Sequence, residues 1–298
     1  MKYIADPHFG RKFKNGVPKN RLGDREKLTL KTFHDILADT NDDLTILGDV
    51  FDSVSVDENT LLAVYNELYA WADRHPTCDL NILAGNHDVS RVSGRKTSFD
   101  VLSELLVQSF TDSCRGVNII GGDDSYFDGK VVFYPFSYRV PNREMKHYPN
   151  AEIVCGHFDE KDAEWLAAVY PKAEIHSGHL HNYFGPFVNF EKSMLPLNYL
   201  EDKGRPNPLY KVFNYGDRIE DVHDNCVRIL CKTKDEARKV EIEEIDALQV
   251  QVVCEEDLAE DLNVDDVDVE GLDRGKLIED CLKDLTEEEK KLAMEYLK

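Results

Sequence analysis

Short apolar runs alternate along this 298-residue chain with segments that carry apolar residues at helical spacing. Seven runs have the composition of buried strands: KYIAD, LTILGD, LNILAGN, VNIIGG, KVVFYP, AEIVCGH and AEIHSGH. Four segments have the three- and four-residue spacing of core-facing helices: Glu26 to Leu37, Asn59 to Trp71, Phe99 to Phe110 and Lys161 to Val169. Because strands and helices take turns along the sequence, we predict an α/β fold.

Polar residues stand at or just after the ends of five apolar runs, namely Asp6, Asp49, Asn86, His157 and His179. In open α/β sheets, ligands bind beyond the carboxyl ends of the strands. Segments that are far apart in sequence can therefore contribute to one site. We expect these five side chains to converge.

Each of these residues belongs to a short motif. Taken alone, DPH at Asp6 to His8 is most often an accidental turn, and GDVFD at Gly48 to Asp52 is equally compatible with a strand-ending turn. GNHD at Gly85 to Asp88 is harder to explain in this way, since polar groups crowded behind an apolar strand need partners. GH at Gly156-His157 and GHLH at Gly178 to His181 add three imidazoles. The combination predicts one ligand-binding site.

The order of these motifs, DxH, GDxxD, GNH[DE], GH and GHxH, resembles that of the calcineurin-like metallophosphoesterase superfamily. The resemblance implies a metallophosphoesterase-type four-layer α/β/β/α sandwich that holds two metal ions. By motif position, it implies that one ion binds Asp6, His8, Asp49 and His181, and that the other binds Asp49, Asn86, His157 and His179. Asp49 would bridge the two ions.

The ligand types indicate which ions to expect. Carboxylates and an amide oxygen suit hard divalent cations, imidazoles suit borderline ones, and the lack of thiolate ligands argues against a structural zinc site. We expect two divalent ions, Mn²⁺ first, with Mg²⁺ or another divalent ion as the alternative. Two such ions lower the pKa of a shared water and neutralise phosphoryl oxygens, which is the chemistry of phosphoester hydrolysis.

Two further motif residues are expected to have catalytic roles. His87 is outside the implied ligand set, and in the resembled superfamily its counterpart faces the substrate. We therefore expect His87 to be the general acid that protonates the leaving oxygen. Asp52, three residues after Asp49, is expected to pair with His87 and to fix its ring.

Within the superfamily, the chain looks most like the SbcD-type DNA-repair nucleases, particularly the recombination endonuclease subunit of large phages. DPHFG continues the first motif into a Gly-containing turn, as in those nucleases, and GDVFD is not followed by the RG of protein phosphatases. The resemblance implies a DNA exonuclease and endonuclease that acts in recombination and repair, as a homodimer formed through helices that flank the sheet. It also implies an SMC-like, SbcC-type ATPase as partner, which agrees with the lack of a GxxxxGK[ST] loop in this sequence.

The formal net charge of −22 opposes binding to a polyanion when it is taken over the whole chain. Half of the excess is local, because residues 255–298 contain 17 acidic and 6 basic residues. Basic residues cluster instead after the first and third motifs. The candidates for contacts with DNA phosphates are Arg11, Lys12, Lys14, Arg21, Arg91, Arg95 and Lys96, and the alternative is a solvated loop face.

The sequence pattern changes after residue 220. We predict a metallophosphoesterase domain over 1–220 and a small α+β, cap-like module over 221–256, in which the charged helix KDEARKVEIEEI lies between two strands. Residues 257–271 are acidic and lack aromatics, as is typical of a linker. Residues 272–298 have the period of an amphipathic helix, and we expect this C-terminal helical tail to bind a partner.

The sequence has no signal-peptide pattern at its start and no apolar run that could cross a bilayer. Its seven cysteines are scattered, without a close CxxC pair. We expect a protein of the bacterial cytoplasm that does not bind membranes, encoded by a phage or by its host.

Two other functions remain open. A phosphatase or phosphodiesterase that acts on small molecules is the first alternative, because the metal core does not choose the ester. A non-catalytic adaptor that keeps the fold is the second, although such scaffolds tend to lose a motif residue and none is lost here. The remaining histidines are predicted to be surface or packing residues: His34, His75, His147, His176 and His223.

Overall fold

The structure, a computed structural model, describes residues 1–110, 116–180, 188–203 and 205–256. Its helices are α1 (Asp24–Asp39), α2 (Glu58–Arg74), α3 (Ser98–Phe110), α4 (Ala163–Val169), α5 (Tyr199–Asp202) and α6 (Lys234–Arg238). Its strands are β1 (Lys2–Ile4), β2 (Leu44–Ile46), β3 (Leu80–Leu83), β4 (Val117–Ile120), β5 (Tyr126–Phe127), β6 (Val131–Tyr134), β7 (Ile153–Gly156), β8 (Glu174–Ser177), β9 (Asn189–Phe190), β10 (Tyr210–Asn214), β11 (Cys226–Cys231) and β12 (Gln249–Cys254).

These strands form three sheets in the part of the chain that the structure describes. The first has the order β1-β2-β3-β4 and is parallel throughout. The second has the order β5-β6-β7-β8-β9, in which β5 is antiparallel to β6 and the other pairs are parallel. Helices α1 to α4 connect parallel strands, as such crossovers require. The seven predicted strands and four predicted helices are present, and the predicted α/β fold is confirmed.

Three strands, β5, β9 and β10, lie outside the elements that the sequence predicts. β5 and β9 are two residues long, which is too short to show a periodicity of two. β10 buries only Tyr210 fully, so buried and exposed residues do not alternate along it. These strands form because a neighbouring strand offers backbone partners, which no local pattern reveals.

Apolar side chains gather in clusters around the first two sheets. One cluster packs α1, α2 and α3 on the first sheet, around Phe33, Leu68 and Leu106. Another packs α4 on the second sheet, around Phe158 and Leu166. A further cluster contains side chains from or next to strands of both sheets: Ala5, Leu47, Leu83, Ile120, Val131, Phe133 and Cys155. This last cluster therefore lies between the two sheets.

The chain divides into two compact units. The first comprises Met1–Phe213, Asp217–Ile229 and Glu241–Gln251, and among the described residues the second comprises 214–216, 230–240 and 252–256. Strands β10, β11 and β12 form the third sheet, in that order. The predicted linker 257–271 and the predicted C-terminal helical segment 272–298 lie outside the described residues.

The charged segment KDEARKVEIEEI is not one continuous helix, contrary to the prediction. Helix α6 covers only its first five residues, and a separate 3-10 turn follows at Ile242–Glu244. Val240 and Ile242 are two residues apart, so one face of a continuous helix cannot bury both side chains. The segment also crosses from the second unit to the first after Val240.

None of the helices in the described ranges is both long and apolar enough to span a bilayer. The cysteines within these ranges are free thiols: Cys78, Cys155, Cys226, Cys231 and Cys254. Burial raises the pKa of the Cys155 and Cys226 thiols, so neither is a ready nucleophile at neutral pH.

Candidate metal centre

The loops that follow β1 and β2 are paired through their backbones. The His8 N–H donates to the Asp49 carbonyl (3.0 Å), and the Asp52 N–H donates to the Phe9 carbonyl (2.9 Å). These bonds continue the contact between the two parallel strands beyond their carboxyl ends. As a result His8 lies beside Asp49, with 3.7 Å between His8 Nε2 and Asp49 Oδ2.

The backbone is strained at several of the predicted ligands. Among the described residues, five that are not glycine have positive φ, and four of these are Asp6, His8 and Asp49, each with φ of 48°, and His179 with φ of 77°. The left-handed conformation costs such residues about 1–2 kcal/mol, so it persists only where the surroundings enforce it. Strain concentrated at these four positions is typical of a functional site.

Two motif glycines permit close approach to the predicted carboxylate ligands. A Cβ on Gly85 would overlap the backbone nitrogen and the carboxylate of Asp49. A Cβ on Gly178 would overlap the Leu47 carbonyl and lie 3.0 Å from Asp6 Oδ1. Glycine at these positions therefore lets the GNHD and GHLH loops contact the two carboxylates.

Potential metal ligands gather in two groups that share Asp49. One group consists of Asp49, His157 and His179, and the other consists of His8, Asp49 and His87. Within each group, one ligand atom from every residue lies within 4.8 Å of the others. A carboxylate that belongs to two neighbouring groups has the position of a ligand that bridges two ions.

The His157 imidazole is oriented by the backbone. Its Nδ1 atom lies 2.9 Å from the Leu47 carbonyl, which can only accept, so Nδ1 carries the proton. The other ring nitrogen, Nε2, lies 2.9 Å from Asn86 Oδ1 and 3.5 Å from Asp49 Oδ2. A backbone carbonyl that fixes the tautomer in this way is typical of metal-binding histidines. The structure thus brings together the four residues predicted for one ion: Asp49, Asn86, His157 and His179.

The charges of this cluster are strongly coupled. Burial alone would lower the pKa of His157, but the nearby Asp49 and Asp6 carboxylates outweigh burial and raise it to about 9. Burial alone would raise the pKa of Asp49, but His157 and His8 outweigh burial and hold it well below its usual range. The Asp49 carboxylate is therefore ionised and requires nearby positive charge. A divalent cation supplies such charge, and His157 would then bind it as a neutral imidazole.

Asp6, another predicted ligand, lies beside these groups rather than in them. Both carboxylate oxygens of Asp6 accept from the His179 N–H, at 3.1 and 3.0 Å, and Asp6 Oδ1 lies 3.7 Å from His157 Nδ1. Asp6 is therefore next to the centre, although it belongs to neither group. The predicted ligand His181 lies outside the described residues.

His87 and Asp52 are in contact, but not through the groups that the sequence suggests. His87 Nδ1 lies 2.6 Å from the Asp52 backbone carbonyl, so Nδ1 donates and the ring is held by the main chain. The Asp52 carboxylate instead accepts from Arg11 at 3.2 Å and lies 3.6 Å from His8 Nδ1. The predicted carboxylate–imidazole pair is wrong, because the hydrogen-bonded loops turn the Asp52 side chain toward His8.

Asp88 has a structural role that the sequence does not single out. Its buried carboxylate accepts hydrogen bonds from the N–H groups of Val50, Phe51 and Gly85, at 3.0, 3.0 and 2.9 Å. Burial, followed by the charge of Asp49, raises the Asp88 pKa to about 7. The bonds from Val50 and Phe51 fasten the GNHD loop to the GDVFD loop, and the bond from Gly85 lies within the GNHD loop itself. The sequence shows an Asp directly after Asn86-His87, which could have indicated this role. It does not show which backbone N–H groups donate to that carboxylate.

The remaining histidines take no part in the two groups, as predicted. His34 pairs with Glu67, His75 stacks on Trp71, and His223 pairs with Asp246. The His147 ring contacts Trp165 at a tilted angle, and His176 lies within β8.

Arg21, a predicted DNA contact, is not available to DNA. It is 5% exposed, and its guanidinium donates to Asp24 at 2.8 Å, to Asp246 at 2.6 Å and to the His223 carbonyl at 2.7 Å. The predicted role of Arg21 is therefore wrong. The surrounding acceptors satisfy the guanidinium and make it a structural residue.

The other predicted DNA contacts are at least partly accessible. Arg11 is partly exposed and bonded to Asp52, and Lys12 pairs with Asp57. Lys14 is exposed, and Lys96 pairs with Glu104. Arg91 and Arg95 are exposed and form no ion pair within the described residues. These last two cations are the best placed to meet an anionic ligand.

We expect Arg21→Ala to lower the free energy of unfolding by about 1–3 kcal/mol, because three hydrogen bonds from a buried charged donor are lost. DNA affinity should remain unchanged. Arg95→Ala is the matched control, since it removes an exposed guanidinium, and it should leave stability within about 0.5 kcal/mol. Urea denaturation and fluorescence anisotropy with labelled DNA measure both quantities. If a folded Arg21→Ala protein bound DNA more weakly than the wild type, Arg21 would be a DNA contact after all.

A cleft of about 290 Å³ opens beside the group of Asp49, His157 and His179. Its lining includes His157, His179, Tyr138 and Lys161. His179, which is only partly buried, is therefore accessible to a small ligand in this cleft.

No model of a known protein family matches this sequence, and no curated protein matches it. The residues and geometry of the site are thus the basis on which a function can be assigned.

Proposed function

We propose that this protein is a dinuclear metallophosphoesterase that hydrolyses phosphodiester bonds in DNA, as an SbcD-like exonuclease and endonuclease. The observation that carries the proposal is the pair of ligand groups that share Asp49. The fold supports it, because helices cover the outer faces of two sheets that have an apolar cluster between them. Such packing is what a four-layer α/β/β/α sandwich of the metallophosphoesterase type requires.

The residues fit two divalent ions. Asp49, Asn86, His157 and His179 would hold one ion, and Asp6, His8, Asp49 and His181 the other. The donors in the described residues are carboxylates, an amide oxygen and imidazoles, which suit Mn²⁺ best and Mg²⁺ less well. The raised pKa of His157, caused by the adjacent carboxylates, supports the need for a cation at this position.

The protein groups around the centre have separable roles in hydrolysis. When bound, the two ions supply an activated water and charge neutralisation at the phosphate. The His87 ring is held at Nδ1 by the Asp52 carbonyl, which leaves Nε2 as the atom that exchanges a proton. Protonated at Nε2, His87 can deliver that proton to the leaving oxygen. Asp88 keeps the loop of His87 fixed against the loop of Asp49, because it accepts from the N–H groups of Val50 and Phe51.

DNA is the proposed substrate because cations lie close to the candidate centre. Arg11 donates to Asp52 at 3.2 Å, beside His8, and Arg91 and Arg95 follow the GNHD loop on exposed positions. Exposed guanidinium groups bind backbone phosphates and release counterions. They are less needed by a phosphatase or phosphodiesterase that acts on small molecules, which is the main alternative function.

The test is hydrolysis of linear DNA and of a small bis-ester, bis(p-nitrophenyl) phosphate, by the full chain. We expect both to be cleaved with Mn²⁺ and neither to be cleaved with excess EDTA. Cleavage of the small ester alone would contradict the nuclease proposal and favour a small-molecule phosphodiesterase. If a folded protein supplied with Mn²⁺ cleaves neither substrate, the result would contradict the proposal that it is a phosphoesterase and favour a non-catalytic adaptor.

A homodimer through helices α2 and α3 is part of the proposal. Leu62 and Tyr69 on α2 and Val101 on α3 are exposed apolar residues, and the two helices pack on each other. Burying such side chains against a second copy would stabilise a dimer. We expect light scattering to give twice the monomer mass for the wild type and the monomer mass for Leu62→Asp. A monomeric wild type would contradict the proposed homodimer.

The proposed SMC-like ATPase partner would bind the segment 272–298.

A further inference from the structure

A second cavity, of about 590 Å³, lies beside the cleft at the candidate metal centre. Ser137, Tyr138 and Arg139 line both spaces, so these three residues stand between them. The second cavity extends along α3 and past the end of β4, and its lining includes Arg91 and Arg95. The two spaces therefore adjoin at Tyr138.

The Tyr138 ring is held firmly while much of it faces solvent. Tyr138 is 42% exposed. The ring makes an edge contact with Phe136, at 4.8 Å between centroids, and its hydroxyl donates to the Asn86 carbonyl at 3.3 Å. The Arg91 guanidinium lies over the ring, 4.9 Å from its centroid. A preorganised aromatic ring beside an arginine is a platform on which a planar group can stack.

The lining of this cavity contains four acidic residues as well as Arg91, Arg95 and Arg139. Each of the four carboxylates already has a partner. Asp123 pairs with Arg139 and Glu104 with Lys96, while Asp100 accepts from the N–H of Thr97 at 2.8 Å and Asp88 accepts from the N–H groups of Val50, Phe51 and Gly85. Arg91 and Arg95 have no carboxylate partner within the described ranges, so their charge is available to phosphate groups.

We propose that Tyr138 stacks an unpaired nucleobase next to the scissile phosphate, and that the adjoining cavity carries the single strand with Arg91 and Arg95 on its phosphates. The exposed Arg91 side chain leaves the ring face that the base takes and contacts a phosphate of the strand. This inference rests on the proposed nuclease function and names the form of DNA that the site accepts.

A single strand fits these observations better than a duplex. The cavity has the volume of a pocket for a small ligand, which admits one or two nucleotides but not a paired helix. Stacking requires an open base face, and a paired base in a duplex does not offer one. Binding of this kind is independent of base identity, because every base has a flat apolar face.

The test is the affinity of the full-length protein for fluorescein-labelled oligo-deoxythymidine, measured by anisotropy in metal-free buffer so that no cleavage occurs. Losing one stacked base weakens binding by about 5- to 100-fold, and we expect this for Tyr138→Ala. Tyr138→Phe keeps the ring and loses only the bond to the Asn86 carbonyl, so it should bind as the wild type does. Arg91→Ala should lower the slope of log K against log salt by about 0.7.

A strand of equal length built from abasic deoxyribose phosphates is the matched control. Tyr138→Ala and the wild type should bind it equally weakly, because the abasic strand offers no base to stack on Tyr138. Equal affinity of Tyr138→Ala and wild type for oligo-deoxythymidine would overturn the inference. The inference would also be overturned if Tyr138→Phe lost as much affinity as Tyr138→Ala, because the effect would then come from the bond to the Asn86 loop. It would be overturned as well if Tyr138→Ala weakened binding to the abasic strand as much as binding to oligo-deoxythymidine.

This failure is distinguishable from failure of the proposed function. If the wild type cleaves DNA with Mn²⁺ but Tyr138→Ala keeps its affinity, only the stacking platform is wrong. If the wild type cleaves no phosphodiester yet Tyr138→Ala binds single strands more weakly than Tyr138→Phe, the platform stands and the protein binds DNA without hydrolysing it.

Discussion

Asp49→Asn is expected to abolish Mn²⁺ binding and hydrolysis together. Asp49 is the residue that both ligand groups contain, and its Oδ2 lies 3.7 Å from His8 Nε2 and 3.5 Å from His157 Nε2. Loss of an outer partner of a metal ligand costs about 10- to 100-fold in metal affinity, so loss of a ligand shared by two ions should exceed about 100-fold. Isothermal titration with Mn²⁺ gives the number of ions bound, and DNA cleavage gives the activity.

Asp49→Asn is nearly isosteric, but Asp49 also takes part in a hydrogen bond that supports the structure. Asp49 Oδ1 accepts from the His87 N–H at 2.8 Å, and an asparagine side-chain oxygen can keep that bond. The fold should therefore survive, as circular dichroism would verify. Asp35→Asn on α1 is the matched control, because it makes the same chemical change in an exposed pair with Lys31. An Asp49→Asn protein that binds two ions or cleaves DNA would contradict the bridging role.

His87→Ala is expected to retain Mn²⁺ and to lose about 100- to 10,000-fold in cleavage rate, which is the usual contribution of a general acid. The structure makes this a sharp test, because His87 also belongs to a group with His8 and Asp49. A residue that delivers a proton and a residue that binds an ion differ in one measurement, the metal stoichiometry.

His157→Ala is the matched comparison for His87→Ala. His157 is fully buried and bonded to the Leu47 carbonyl, so its removal should lower Mn²⁺ affinity as well as rate. If His87→Ala binds one ion fewer than the wild type, His87 is a ligand and the general acid lies elsewhere. A substrate with a better leaving group, such as a nitrophenyl ester, should lose less rate in His87→Ala than DNA does, because nitrophenolate needs no proton.

The contact of His87 with the Asp52 carbonyl shows the limit of motif-based assignment. The resemblance of the motifs to those of metallophosphoesterases implies that Asp52 and His87 meet, and the two residues are in contact. Whether they meet through a carboxylate or a carbonyl depends on the turn of the loop, which is set by the bond from the Asp52 N–H to the Phe9 carbonyl. The Asp52 side chain is thereby directed to Arg11 and His8.

Arg21 shows the same limit for charge. Its neighbours in the sequence are basic, which predicts a DNA-binding loop, yet its acceptor Asp246 is 225 residues away. Nothing in the local sequence indicates that partner. By contrast, Arg91 and Arg95 remain exposed, as their polar surroundings predict.

The amino-acid sequence by itself determined the order of strands and helices and the positions of the polar residues at strand ends. It could do so because apolar periodicity is local and because parallel strands bring their carboxyl ends to one edge. Only the tertiary structure decided the hydrogen bonds of Asp88, the burial of Arg21 and the place of Tyr138 between two cavities. Those features depend on the conformation of loops that meet from distant parts of the chain, where a change in one backbone bond redirects a side chain.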